Sequence, residues 1–132
     1  VLAVPVGGLE RVVKQLKKST IVPVVLPQSV PDSLTGTAVY GRVTSVSRNA
    51  YLVALASTRS CNGSPTCLLE TASGELKKPS SLGRSVKLPN GTQAYYDGSA
   101  LTWKKGVAWY RLRIVGTSLY SLRMATTAMR RF

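Results

Sequence analysis

Between residues 37 and 115 the chain is cut by Gly, Pro, Asn and Asp into short runs rich in Val, Thr and Tyr, a punctuation that suits successive hairpins and little else. Residues 37–47 and 51–57 read as strands joined around Arg48-Asn49, and residues 67–71 as a further short strand ended by a Ser73-Gly74 turn. Residues 85–88 and 92–96 flank the tight turn Pro89-Asn90-Gly91. Asp97-Gly98 then leads into residues 100–104, and Lys105-Gly106 reverses into residues 107–115. Along that last run Ala108, Tyr110, Leu112 and Ile114 alternate with Trp109, Arg111 and Arg113, so a strand there puts one set on each face.

Both ends of the chain change period. Within residues 7–19, Leu9, Val12, Val13 and Leu16 form the stripe of an amphipathic helix. Glu10 lies one turn before Lys14, and Lys14, Lys17 and Lys18 load the C-terminal end, which suits the helix dipole. Residues 118–130 read as a second such helix, capped by Thr117 or Ser118, with Leu119, Leu122, Ala125 and Met129 toward a core. Residues 21–26 are extended but interrupted by Pro23, hence an edge strand or a strap. Residues 27–36 form a loop with Asp32, and residues 77–84 a basic loop. These signals predict a single α+β domain over residues 1–132. Its antiparallel sheet is built from successive hairpins, with N-terminal and C-terminal amphipathic helices packed on one face.

Two cysteines, Cys61 and Cys67, enclose Asn-Gly and Ser-Pro steps that let the chain double back. Zinc would require two further ligands, and the chain has no His and no third Cys. A structural disulfide is the preferred reading, with two buried free thiols as the alternative. A disulfide implies an oxidising, extracytoplasmic compartment: periplasm, cell surface or outside. No apolar run approaches the roughly 20 residues that cross a bilayer as a helix. The apolar start, Val1 to Val6, reads either as what remains after processing or as a first strand.

Charge restricts function more than fold. Eighteen Lys and Arg face five acids, Glu10, Asp32, Glu70, Glu75 and Asp97, for a formal net charge of +13. Most of the cations are therefore either solvated or matched by an external polyanion. Catalysis is poorly provided for: there is no His to carry proton transfer near neutral pH, and the acids form no close pair. The expectation is no enzyme, no cofactor and no metal. Gly7-Gly8 precedes a helix and offers backbone donors to an anion, but it lacks the Lys-Ser/Thr of a phosphate-binding loop.

The strip Trp109, Arg111 and Arg113, with Lys104 added from the hairpin partner, is the sharpest candidate for anion binding. Arginine forks suit phosphate, sulfate or carboxylate, and an indole stacks on a base or sugar. The plainer reading is a solvated strand face half-covered by cation–π packing. Lys77, Lys78, Arg84 and Lys87, and the terminal Arg130-Arg131, extend the patch or are ordinary solvated loops.

Several stretches together resemble an uncharacterised family of small bacterial exported and lipoprotein-type domains. They are Ile21-Val22-Pro23-Val24-Val25-Leu26-Pro27 with Val30-Pro31, Asn49-Ala50-Tyr51-Leu52-Val53-Ala54-Leu55, and the Cys61/Cys67 segment. Further along come Val86-Lys87-Leu88-Pro89-Asn90-Gly91-Thr92-Gln93-Ala94-Tyr95-Tyr96, Leu101-Thr102-Trp103, Tyr110 and Met124-Ala125. The resemblance implies an envelope or secreted location and an antiparallel sheet with helices, and it implies no activity. The chain departs from the pattern in lacking a second cysteine pair around Tyr96-Asp97-Gly98-Ser99, and in its high charge.

The expected function is an extracytoplasmic, non-catalytic binding or assembly domain whose basic surface meets an anionic polymer, lipid headgroup or acidic protein surface. Nucleic-acid binding is the alternative. Self-assembly through the apolar N-terminal segment or an edge strand is a third reading.

Overall fold

The computed structural model describes residues 3–31, 38–64 and 66–132. Residues 1–2, the 32–37 part of the expected loop and strand start, and Pro65 lie outside the described residues. In chain order the elements are β1 (Ala3–Gly7), α1 (Leu9–Ser19), β2 (Val25–Pro27), β3 (Ser29–Pro31), β4 (Val39–Ser47), β5 (Ala50–Ala56) and β6 (Leu68–Glu75). There follow β7 (Arg84–Lys87), β8 (Gln93–Tyr96), β9 (Ala100–Lys105), β10 (Ala108–Ile114), α2 (Leu119–Ala125), a 3-10 turn (Thr126–Ala128) and β11 (Met129–Arg131).

The fold corrects the expected α+β class. Strand accounts for 48% of the structure and helix for 17%, so the helices make no layer of their own. Nine strands form one mixed sheet in the order β3-β1-β4-β5-β6-β10-β9-β8-β7, and β2 pairs with β11 in a separate ribbon. The sheet is not wholly antiparallel, because Val6 and Gly7 of β1 run parallel to Val39 and Tyr40 of β4. A hairpin cannot make that pairing. It requires a crossover, which α1 and the segments after it supply.

The second expected helix is also shorter than its apolar spacing suggested. The Ser118 side chain caps α2 by accepting from the Ser121 N–H at 3.2 Å. The helix stops at Ala125 because two threonines follow. Thr126 Oγ1 donates to the Arg123 carbonyl at 2.6 Å and Thr127 Oγ1 to the Met124 carbonyl at 2.7 Å, taking up acceptors a further turn would use. Met129 then begins β11, pairing with Pro27 of β2 while its side chain stays packed against the core.

A third correction concerns Ser73-Gly74, which lies inside β6 and is not a turn. A Cβ on Gly74 would stand 2.6 Å from the Tyr51 ring and 3.0 Å from the Tyr110 ring. The glycine therefore makes room for two tyrosines crossing the sheet from β5 and β10, its partners on either side.

Among the described residues one sheet face is covered and the other is open. Tyr51, Val53, Leu55, Ala72, Leu101, Trp103, Tyr110, Leu112 and Ile114 point inward and are buried. They join Val12 and Leu16 of α1, Leu122 and Ala125 of α2, and Val22, Val24, Val25 and Leu26 of the crossing strap in one cluster. Gly41 lets α1 close on β4, since a Cβ there would meet Val6, Val12 and Leu55 at 3.2 to 3.5 Å. Two core tyrosines hold the strap. Tyr51 Oη accepts from the Val25 N–H at 3.0 Å and donates to the Val25 carbonyl at 2.7 Å. Tyr110 Oη donates to the Pro23 carbonyl at 2.7 Å. Burial raises the pKa of both phenols, so both remain protonated and able to donate.

Glu70 breaks the apolar pattern. The β5–β6 register passes from Leu55↔Glu70 to Ala56↔Leu68, so Leu69 is the extra residue of a bulge. Beyond the bulge, plain strand alternation sets Glu70 on the inner face with Ala72 and Gly74, 1% exposed and with neither carboxyl oxygen hydrogen-bonded. Burial pushes its carboxyl up to about 8 from 4.5. Between those values the folded chain holds a proton that the unfolded chain has released, so the contribution of Glu70 to stability falls as pH rises from about 4.5 to about 8. Glu70→Gln is expected to raise the melting temperature markedly at about pH 9 and far less at about pH 5. Equal effects in thermal melts at the two pH values would show that Glu70 is not buried as described.

Candidate functional site

On the open face, β10 carries Trp109, Arg111 and Arg113 in a row. Glu75 and Lys104 flank Trp109, Ser73 and Thr102 flank Arg111, and Thr71 and Ala100 flank Arg113. The strand alternation fixes this placement: Tyr110 and Leu112 are drawn into the core at 1% and 0% exposure, which sends their neighbours outward. A shallow concavity of about 480 Å³ lies over this face, bounded by Ser45, Leu52, Thr71, Ser73, Arg111 and Arg113 among others.

The arginines are already engaged locally. Arg111 Nη2 meets Asp97 Oδ2 at 3.1 Å and its Nε donates to Thr102 Oγ1 at 3.2 Å. Arg113 Nη2 donates to Ser99 Oγ at 2.8 Å. Asp97 organises the β8–β9 turn, its Oδ1 accepting from the Ser99 N–H, the Ser99 hydroxyl and the Ala100 N–H at 2.8 to 3.1 Å. Desolvation opposes ionisation of that carboxyl, but the backbone bonds from Ser99 and Ala100, the Ser99 hydroxyl and the Arg111 charge outweigh it and hold it below the usual carboxylate range.

The indole of Trp109 has the ammonium groups of Lys78 and Lys104 each 6.0 Å from its centroid. Lys78, Lys104 and Trp109 therefore form one cluster, with Arg111 and Arg113 farther along the same strand. Lys87 faces Gln93 at the far edge on the outward side, while its carbonyl accepts from Arg123 Nε at 2.6 Å. Lys77 is exposed beside Lys78. Arg84 does not join the strip: it pairs with Tyr96, which pairs with the inward Leu101, and its guanidinium lies 5.7 Å from the Tyr96 ring. Arg130 and Arg131 belong to β11 in the covering layer, away from the open face.

Cys61 and Cys67 are bonded, with an S–S distance of 2.04 Å, which suggests maturation in an oxidising compartment. No helix among the described residues is long and apolar enough to cross a membrane. Among the described residues no three His, Cys, Asp or Glu side chains come together as metal ligands.

The sequence reading passed over three other arginines, Arg11, Arg42 and Arg59, which line a second concavity of about 540 Å³. One signal for them was present: Arg11 sits in the first turn of α1, where the helix dipole disfavours a cation.

Asp97→Ala, by removing the Arg111 partner and three turn-closing acceptor bonds, is expected to cost about 1 to 2 kcal/mol in denaturant unfolding. Asp97→Asn, which keeps an acceptor oxygen, should cost less than half of that. Equal costs would assign the stabilisation to charge instead of turn geometry.

No protein-family model, curated protein or solved structure matches the chain, so the family resemblance rests on the residues that suggested it.

Proposed function

We propose that the chain is an extracytoplasmic, non-catalytic binding domain whose open sheet face takes a linear acidic polymer of the cell envelope. The observation that carries this reading is electrostatic. All eighteen Lys and Arg lie among the described residues, and Arg111 alone of them has a carboxylate within 4.0 Å there. Among the described residues the rest of the cationic charge has no carboxylate at close range, which favours an anion from outside.

Shape selects the polymer. Arg111 and Arg113 alternate along one extended strand, about 7 Å apart by strand geometry, with Lys104 and Lys78 continuing the cationic track past Trp109. Such a track suits repeated carboxylate or sulfate groups on an extended chain. Base stacking on Trp109 is less favoured, because two ammonium groups already lie over that ring. The disulfide supports an oxidising location, and the resemblance to exported domains supports the envelope. A binding role instead of catalysis is supported by the acids themselves: Glu70 is sunk in the core and Asp97 is tied to Arg111.

Binding to polygalacturonate, followed by fluorescence as salt is raised, is expected to weaken with a steep log–log slope. Arg111→Ala with Arg113→Ala should lower that slope by about 2 ionic contacts. No binding at low salt would overturn the proposal. Tighter binding of an oligo-dT strand that depends on the same two arginines would replace it with the nucleic-acid reading.

A further inference from the structure

We propose that the cleft bounded by Arg11, Arg42 and Arg59 is a separate binding site for a small multivalent oxyanion, a compound carrying at least two phosphate or carboxylate groups. The cleft shares no residue with the Trp109 strip. Its walls are the first turns of α1, the Tyr40–Val43 stretch of β4, the end of β5 at Ala54 and Ala56, and the loop from Thr58 through Cys61 to Gly63.

Its volume of about 540 Å³ falls in the range of small-molecule sites, and a sphere of that size is about 10 Å across. Much of its lining is small: Gly7, Gly8, Gly41, Ala54 and Ala56 all border it. Val12, Ala56 and Cys61 in its lining are buried, while the three arginines that line it are exposed. Buried apolar residues beside a few charged ones in one lining is the composition of a ligand pocket.

Among the described residues no Asp or Glu lines the cavity, and none of the three arginines has a carboxylate within 4.0 Å. Arg59 lies 4.9 Å from the centroid of the Tyr40 ring, which fixes its place. Arg11 and Arg42 make no side-chain hydrogen bond to any described residue, so their donors are open to a ligand. Three like charges around one cavity repel each other, and a multivalent anion relieves that repulsion at every one of them. All three are arginine, whose planar fork matches carboxylate and phosphate oxygens two at a time.

The walls are held in place. The Cys61–Cys67 bond closes the loop, and Ser57 N–H donates to the Cys67 carbonyl at 2.9 Å. Gly7 pairs with Tyr40 across the β1–β4 junction. The site is thus preorganised, which lowers the ordering cost of binding.

Calorimetry with inorganic pyrophosphate and, in parallel, citrate at about 0.15 M salt, where the screening length is about 8 Å, tests the proposal. One saturable site per chain is expected for at least one of the two, and the stronger of them identifies phosphate or carboxylate as the preferred group. Single changes Arg11→Gln, Arg42→Gln and Arg59→Gln should each weaken it about tenfold or more, the worth of a charge-assisted hydrogen bond. Their exposed positions leave the fold intact, which melting curves verify. Lys14→Gln with Lys17→Gln and Lys18→Gln removes three charges from α1 outside the cleft and should change affinity by no more than about twofold. Saturable binding of neither anion overturns the site, as does an equal loss in the lysine variant. Arg111→Ala with Arg113→Ala should leave pyrophosphate and citrate binding unchanged, so this site and the polymer-binding face can fail independently.

Discussion

The structure depends on two phenol hydroxyls that hold a proline-bearing strap against the inner face of the sheet. The strap cannot satisfy its backbone by a sheet ladder, because Pro23 has no N–H and only Val25 to Pro27 pair with β11. Its polar groups are met individually instead. The Val22 N–H donates to Thr20 Oγ1, the Pro23 carbonyl accepts from Tyr110, Val25 is held on both sides by Tyr51, and the Val24 carbonyl accepts from the Phe132 N–H. Tyr110 and Pro23 are 87 positions apart, so closing the core ties the first quarter of the chain to the last strands. Losing either hydroxyl would leave a buried carbonyl or N–H unpaired, which costs more than the bond itself is worth.

That arrangement determines which face is free. The strap, α1, α2 and β11 together cover one side, and no described element covers the other. The open side is therefore built from short polar residues and cations: Ser45, Thr71 and Ser73 in the middle, Arg111, Arg113 and Lys104 beyond. A sheet with one wet face reads as clean alternation, and β10 does so from Ala108 to Ile114.

Much of this was legible in the residues, and the failures have physical causes. The alternation of β10 placed Trp109, Arg111 and Arg113 together on one face, because period two has only one solution for a half-buried strand. Gly74 was misread as a turn because a glycine needed for clearance looks the same in sequence as one needed for flexibility, and only the crossing rings distinguish them. The helical stripe after Ser118 continued on paper to Met129, but Thr126 and Thr127 divert the carbonyls a helix would need. The parallel pairing of β1 with β4 was invisible, since a crossover leaves no local turn signature. The Arg11, Arg42 and Arg59 cleft was out of reach for a similar reason: its members come from a helix, a strand and a loop that only the fold brings together.

Charge and fold are coupled through the acids. Asp97 is the one carboxylate paired with a cation among the described residues, and it serves the β8–β9 turn as much as Arg111. Glu75 sits beside Trp109, and Glu10 answers the dipole at the start of α1. Glu70, pushed up to about 8, holds its proton in the core near neutral pH. Folding thus makes the protein one charge more positive than its formal +13, because a carboxyl that would be ionised in the unfolded chain is neutral in the folded one. The same arrangement strengthens the field around the open face and the arginine cleft, and an anion that binds either one lowers the self-repulsion the fold has to bear.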